Sequence, residues 1–199
     1  MLNLKKLSVT GDPGSGKSTI CSIFKELGSY IVSADDIVRE LLVTTSSVGQ
    51  KVIQLLGPSI VKEDRLDRQT IANMVFDDIY LLKELEGILH PEVHKIIQMN
   101  YKKVCRGNDY SLFVAEIPLL YESNSESFYD IVIFVSANQN LCMSRFLYKK
   151  GCSQQEFYRR LKRFLPIEER KTRANFVIEN NGTIEQLREK IIKLNTLIL

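Results

Sequence analysis

The amino-acid sequence predicts an α/β fold built on a parallel sheet, and three observations carry that prediction. Short apolar runs rich in β-branched residues alternate with segments whose apolar residues recur at helical spacing. The runs are continuous rather than alternating, as in parallel strands covered on both faces. The composition is that of a globular chain, with 199 residues, 44% hydrophobic, 26% charged, ten Gly and five Pro. Disordered, collagen-like and low-complexity readings are thereby excluded. Since about 100–200 residues make a domain, one domain with an inserted lobe is expected.

Taken in order, Leu4 to Thr10 reads as a buried strand ending at Gly11. Lys17 to Leu27 carries a helical stripe of Ile20, Ile23, Phe24 and Leu27, closed by Gly28. Tyr30 to Val32 is a second strand. From 37 to 106 the pattern is helical throughout, through Leu41/Leu42, Val52/Leu55/Leu56, Ile71/Met74/Val75 and Val93/Ile96/Ile97. Breaks are expected at Gly57-Pro58 and at His90-Pro91, with Pro91 in the first turn of a helix and His90 at its start. Leu112 to Ile117 and Ile131 to Val135 are strands, helices follow at 138–150, 154–164 and 167–174, and Phe176 to Ile178 is the fifth strand before a terminal helix. Capping boxes are expected at Ser153 with Glu156 and at Thr183 with Gln186.

No apolar run approaches the ~18–20 residues of a membrane-spanning helix, and Met1 to Lys6 does not read as a signal peptide. Cys21, Cys105, Cys142 and Cys152 form no Cys-x-x-Cys pair, which points to reduced thiols and a cytoplasmic protein. The net charge of +3 divides unevenly: residues 145–173 hold ten basic and three acidic side chains, for +7, against −4 for the rest. A basic segment on a mildly acidic body suggests a local anionic partner.

Gly11-Asp12-Pro13-Gly14-Ser15-Gly16-Lys17-Ser18 fits the G-x-x-x-x-G-K-[ST] phosphate loop, with a strand before it and a helix after it. Glycines let backbone N–H groups curl around a phosphate, and the helix N-terminus adds partial positive charge. Lys17 is expected at the β/γ-phosphates and the Ser18 hydroxyl on Mg²⁺. Neither Asn/Thr-Lys-x-Asp nor Asp-x-x-Gly occurs, so a GTPase switch is disfavoured and small-molecule kinases remain. Such kinases need a second acid. Asp35, directly after strand two, is the first choice for a base, with Asp36 the alternative and a helix N-cap the role without chemistry. Glu116 closes an apolar strand, where it can hold Mg²⁺ directly or through water, or be a polar strand end.

The chain resembles the dephospho-coenzyme A kinase family almost end to end. The resemblance rests on Thr10 to Thr19, Ala34-Asp35-x-Ile37-x-Arg39, Leu66-Asp67-Arg68, Phe76, Leu85-Glu86 with His90-Pro91, Glu116 to Glu122, Asp130, and Asn180-x-Gly182. It implies ATP-dependent phosphorylation of the ribose 3′-hydroxyl of dephospho-CoA, with a three-layer α/β/α P-loop kinase core, a helical acceptor lobe and a lid. The matching segments are 1–36, 107–144 and 174–199 for the core, 37–106 for the helical insertion and 145–173 for the basic lid. Carried over by residue, Asp35 is the base, Lys17 and Arg145 stabilise the transferring phosphoryl group, and Gly11, Gly14, Ser15, Gly16, Lys17, Ser18, Thr19 and Asn180 bind ATP. Arg39, His90, Pro118 and Leu119 join Asp35 in the acceptor pocket, and Ser18 and Glu116 hold Mg²⁺. Departures from the family pattern are Ser33 for Asp, Asp12-Pro13 for Gly-Ile, Lys149 for Arg, Phe164 for Gln and Asn175 for Asp. Asp12 is expected to point away from the phosphates.

His90 and His94 stand i, i+4, a zinc-compatible spacing without a third ligand nearby, so a capping role or the acceptor pocket is expected of His90. A lid explains the 145–173 charge better than a solvated face or a nucleic-acid surface, because closing cations over ATP stabilises developing charge. No nucleic acid or membrane partner is expected, and the chain reads as a monomer or weak homo-oligomer. A P-loop kinase of another small alcohol or nucleotide, and a nucleotide-dependent switch without chemistry, are the competing functions.

Overall fold

The computed structural model describes residues 4–76, 78–107, 109–148 and 153–199; Lys149 and Cys152, singled out above, lie outside them. Along the chain, β1 (Lys6–Gly11) leads through the glycine loop into α1 (Lys17–Glu26), then β2 (Tyr30–Ser33), α2 (Ala34–Leu41) and α3 (Ser47–Leu56). A hairpin of β3 (Val61–Lys62) and β4 (Arg65–Leu66) precedes α4 (Arg68–Phe76) and α5 (Ile79–Val104). The chain continues through β5 (Phe113–Glu116), β6 (Ile131–Ser136), α6 (Gln139–Leu147), α7 (Gln154–Leu161), α8 (Ile167–Thr172), β7 (Phe176–Glu179) and α9 (Ile184–Ile198).

Two compact units divide the chain, one of residues 1–33 and 101–199 and one of residues 34–100. These boundaries fall three and six residues before the ends of the expected insertion, 37–106, and the 145–173 segment belongs to the larger unit. In that larger unit the sheet order is β2-β5-β1-β6-β7, with every pair parallel, as the sequence predicted. Leu7 and Val9 of β1, with Leu112, Val114, Ile133 and Val135, pack against Ile20, Ile23 and Phe24 of α1 and Leu187, Ile191 and Leu194 of α9. The opposite sheet face is covered too, with Tyr101 edge-on to Phe113 at 5.3 Å and Arg170 over Phe134. Asp130, a family landmark, accepts the Lys6 N–H at 2.8 Å and thereby ties the start of β6 to β1. Asn175 does the same for β7, its Oδ1 accepting from Val132 N at 2.8 Å, so the amide oxygen suffices where the family has Asp.

The smaller unit has its own core of Leu42, Val48, Val52, Leu56, Ile60, Leu66, Ile71, Val75, Leu85 and Leu89. Asp67 starts α4, accepting from Gln69 N at 3.1 Å and from the Thr70 hydroxyl at 2.8 Å. Two expectations fail in this unit. The segment is not helical throughout: Val61 faces Leu66 and Lys62 faces Arg65 in an antiparallel hairpin turned at Glu63, whose φ is 54°. Nor does the helix break at His90-Pro91. Pro91 sits inside α5, and His90 is mid-helix rather than at a start. The missing N–H costs about 3 kcal/mol. Leu85, Leu89, Val93 and Ile97 are buried at a spacing of four on both sides of it, and about 1.5–3 kcal/mol for each such side chain outweighs the loss.

The Thr183–Gln186 box forms both of its bonds. At Ser153 only half forms, because the Glu156 carboxylate turns to Arg160 at 2.6 Å while the Ser153 hydroxyl accepts from Glu156 N at 3.1 Å.

Candidate active site

The loop after β1 is shaped by glycines whose backbone and neighbours leave little room for a side chain. Gly14 has φ 77°, and a Cβ there would lie 2.1 Å from the Cys142 carbonyl oxygen; at Gly16, φ 102°, it would lie 2.2 Å from Asn180 Nδ2. Gly16 is the N-cap of the ten-residue α1 and offers no side chain to its first amides. Those N–H groups and the helix dipole are left for an anion. Lys17 is buried, its ammonium donating to the carbonyls of Gly11 at 2.9 Å and Asp12 at 3.0 Å.

Ser18 Oγ donates to Glu116 Oε1 at 2.8 Å, so the hydroxyl at the head of α1 meets the carboxylate at the end of β5. These are hard oxygen donors of the kind Mg²⁺ takes. Among the described residues no group of three or more His, Cys, Asp or Glu could hold a metal. Cys21, behind this pair, has its thiol pushed well up by burial, with the Glu116 charge adding to the effect and Lys17 opposing it.

Asn180, at the end of β7, is buried and holds the loop from the other side. Its Nδ2 donates to Ser15 O at 2.8 Å, its backbone N–H to Ser136 O at 2.8 Å, and its carbonyl accepts from Arg145 NH1 at 3.1 Å. Gly16, Thr19, Arg145 and Asn180, with Gly182, Ile184 and Leu187, line a cavity of about 140 Å³. The structure thus brings three of the expected ATP-binding residues, Gly16, Thr19 and Asn180, together with Arg145, expected at the transferring phosphoryl group. Pro118 and Leu119 lie just beyond β5, where the Thr10 hydroxyl donates to Pro118 O at 2.9 Å.

Asp12 is matched by a cation: its Oδ1 is 2.7 Å from Arg170 NH2 on α8, in a pair with side chains 15% and 3% exposed. Arg170 also stacks over Phe134 and Phe164, so two positions that depart from the family pattern, 12 and 164, meet at one guanidinium. Arg173 pairs with Glu126 and Glu169 and lies over the Tyr121 ring. Part of the basic charge of 145–173 is therefore already matched within the protein. Sequence reasoning counted Arg170 only as one of ten cations; the available signal was an acid inside an anion-binding loop, which demands a cation nearby.

In the smaller unit, Asp35 and Asp36 occupy the first turn of α2. Asp35 is exposed, and Asp36 pairs with Arg39 at 2.9 Å on the surface. Arg39 also lines a cavity of about 540 Å³ with Asp36, Glu40, Val43 and Arg65, the last of these unanticipated from sequence. His90 lies partly buried on α5, one turn from His94.

A family model for dephospho-CoA kinase matches residues 6–186. The chain belongs to the dephospho-CoA kinase family. A dephospho-CoA kinase from Chlamydia caviae is 47% identical over 191 residues, covering 96% of this chain and 95% of that one. A solved structure from Thermus thermophilus superposes with a TM-score of 0.81 at 28% identity, covering 99% of each chain. The dephospho-CoA kinase from Campylobacter jejuni gives a TM-score of 0.70 at 27% identity over 97% of this kinase and 96% of that one. In the present kinase, among the described residues, no helix is long and apolar enough to cross a membrane.

Proposed function

We propose that this kinase transfers the γ-phosphoryl group of ATP to the ribose 3′-hydroxyl of dephospho-CoA, giving CoA and ADP in the final step of CoA biosynthesis. The observation that carries the reading is the Ser18–Glu116 contact beside a complete phosphate loop, in a chain of this family. Gly11, Gly14, Ser15 and Gly16 offer backbone N–H groups to the phosphates, and Lys17 leaves the carbonyls of Gly11 and Asp12 for the β/γ-phosphates. Thr19 and Asn180 flank the nucleotide. Arg145 is held by the Asn180 carbonyl on the same side and adds positive charge where the transferring group becomes more anionic.

Ser18 and Glu116 would hold Mg²⁺ directly or through water, and a bound Mg²⁺ neutralises charge on the β- and γ-oxygens. Asp35 takes the proton of the 3′-hydroxyl as the new P–O bond forms, while the bond from the γ-phosphorus to the bridging oxygen breaks and ADP leaves. Arg39 and His90 of the smaller unit, and Pro118 and Leu119 of the larger, are assigned to acceptor binding. Segment 37–106 is assigned to acceptor binding and 145–173 to the basic lid. The protein acts in the cytoplasm as a monomer or weak homo-oligomer, without nucleic acid. A coupled ADP-release assay tests the reading. Dephospho-CoA is expected to give the highest kcat/KM in a panel with nucleosides, nucleoside monophosphates and sugars. ADP release no faster than the ATPase background would overturn it.

A further inference from the structure

We propose that Arg170 is a positioning residue of the phosphate loop: by clamping the Asp12 carboxylate against α8, it keeps a negative charge off the triphosphate. The inference rests on reading Gly11–Ser18 as the ATP site. Asp12 is the second residue of a loop whose purpose is to attract anions, and its carbonyl is already one of the two that hold Lys17. A carboxylate left free there would repel the β- and γ-phosphates in a water-poor site, where charges are weakly screened. The structure removes that repulsion with a partner 2.7 Å away whose side chain is 3% exposed.

Arg170 is held for this task by contacts that do not involve the loop. Its Nε donates to Leu165 O at 2.8 Å, and its guanidinium lies 5.1 Å from the Phe134 ring centroid and 4.9 Å from that of Phe164. The turn before α8 is anchored in its own right, because Leu165 N donates to Glu122 Oε1 at 2.8 Å. Arg173 fastens the other end of α8 to Glu126. The cation is thus held independently of the loop it meets, and a guanidinium over two rings is a geometry that lysine does not reproduce.

A double-mutant cycle on the whole enzyme tests this. Arg170→Met is expected to raise KM for ATP at least tenfold, with kcat and KM for dephospho-CoA changing less than threefold. Adding Asp12→Asn is expected to bring KM for ATP back to within about threefold of wild type, a rescue that a merely structural arginine would not show. A double variant as poor as Arg170→Met, or an Arg170→Met enzyme with unchanged KM, overturns the proposal. If Arg170→Met does not fold, Asp12→Asn alone decides: a KM for ATP at or below wild type supports the clamp, and a higher one overturns it. Failure of wild-type turnover would refute the ATP-site reading instead, so the two failures are distinct.

Discussion

Replacing Gly14 with alanine should disable nucleotide binding while sparing the fold, and the structure fixes the size of the effect. At φ 77° a side chain is strained, a cost of about 1–2 kcal/mol. The new Cβ would lie 2.1 Å from the Cys142 carbonyl oxygen, where ordinary contact begins at 3.4 Å, so about 1.3 Å must be opened. Cys142 cannot easily give way: it is buried with Phe146 and Phe157, and its N–H donates to Asn138 O at 2.8 Å. Overpacking of this kind costs about 1–3 kcal/mol. The loop therefore yields, and the combined 2–5 kcal/mol appears in ATP affinity as a loss of about 30-fold to a few thousand-fold. Calorimetric titration of ATP into the variant reads it, with circular dichroism as the check on the fold. Binding within threefold of wild type in a folded variant would refute the assignment of this loop geometry to phosphate recognition.

Asn180→Asp keeps the shape but sets a carboxylate oxygen against Ser15 O, where Nδ2 now donates at 2.8 Å. One lost buried bond and a facing acceptor should weaken ATP binding by about 10–100-fold; an unchanged titration contradicts the role given to Asn180. Asp35→Asn should lower kcat by about 10²–10⁴ with ATP affinity retained, and undiminished turnover moves the base to Asp36. Burial pushes the Cys142 thiol up to about 11, the Asp12 charge adding to it and Arg145 and Lys17 opposing it. At pH 8 about one molecule in a thousand then carries the reactive thiolate. Alkylation of Cys142, followed by mass spectrometry, should rise about tenfold per pH unit without levelling near pH 9. The sign for stability follows: the unfolded thiol loses its proton first, so this group's contribution falls as pH rises from about 9 to about 11.

How much of this was legible in the sequence depended on distance along the chain. β1, β5 and β6 were readable because central parallel strands are continuous apolar runs, and the phosphate loop because its eight residues are contiguous. Glu116 was readable only as an acid at a strand end; its contact with Ser18 closes 98 residues of chain and belongs to the parallel register of β1 with β5. The β3–β4 hairpin left no periodicity because each strand has two residues. Pro91 misled because local propensity says stop, whereas the buried stripe from Leu85 to Ile97 says continue, and tertiary packing wins. Asp12 and Arg170 lie far apart along the chain, and only the unbalanced acid in the loop was visible in the sequence.

Phosphorus NMR of the product tests the central claim most directly. Incubation of the enzyme with MgATP and dephospho-CoA should yield ADP and one new phosphomonoester, on the ribose 3′-oxygen, in equal amounts. ADP accompanied only by inorganic phosphate, or a phosphate on any other oxygen, would contradict it.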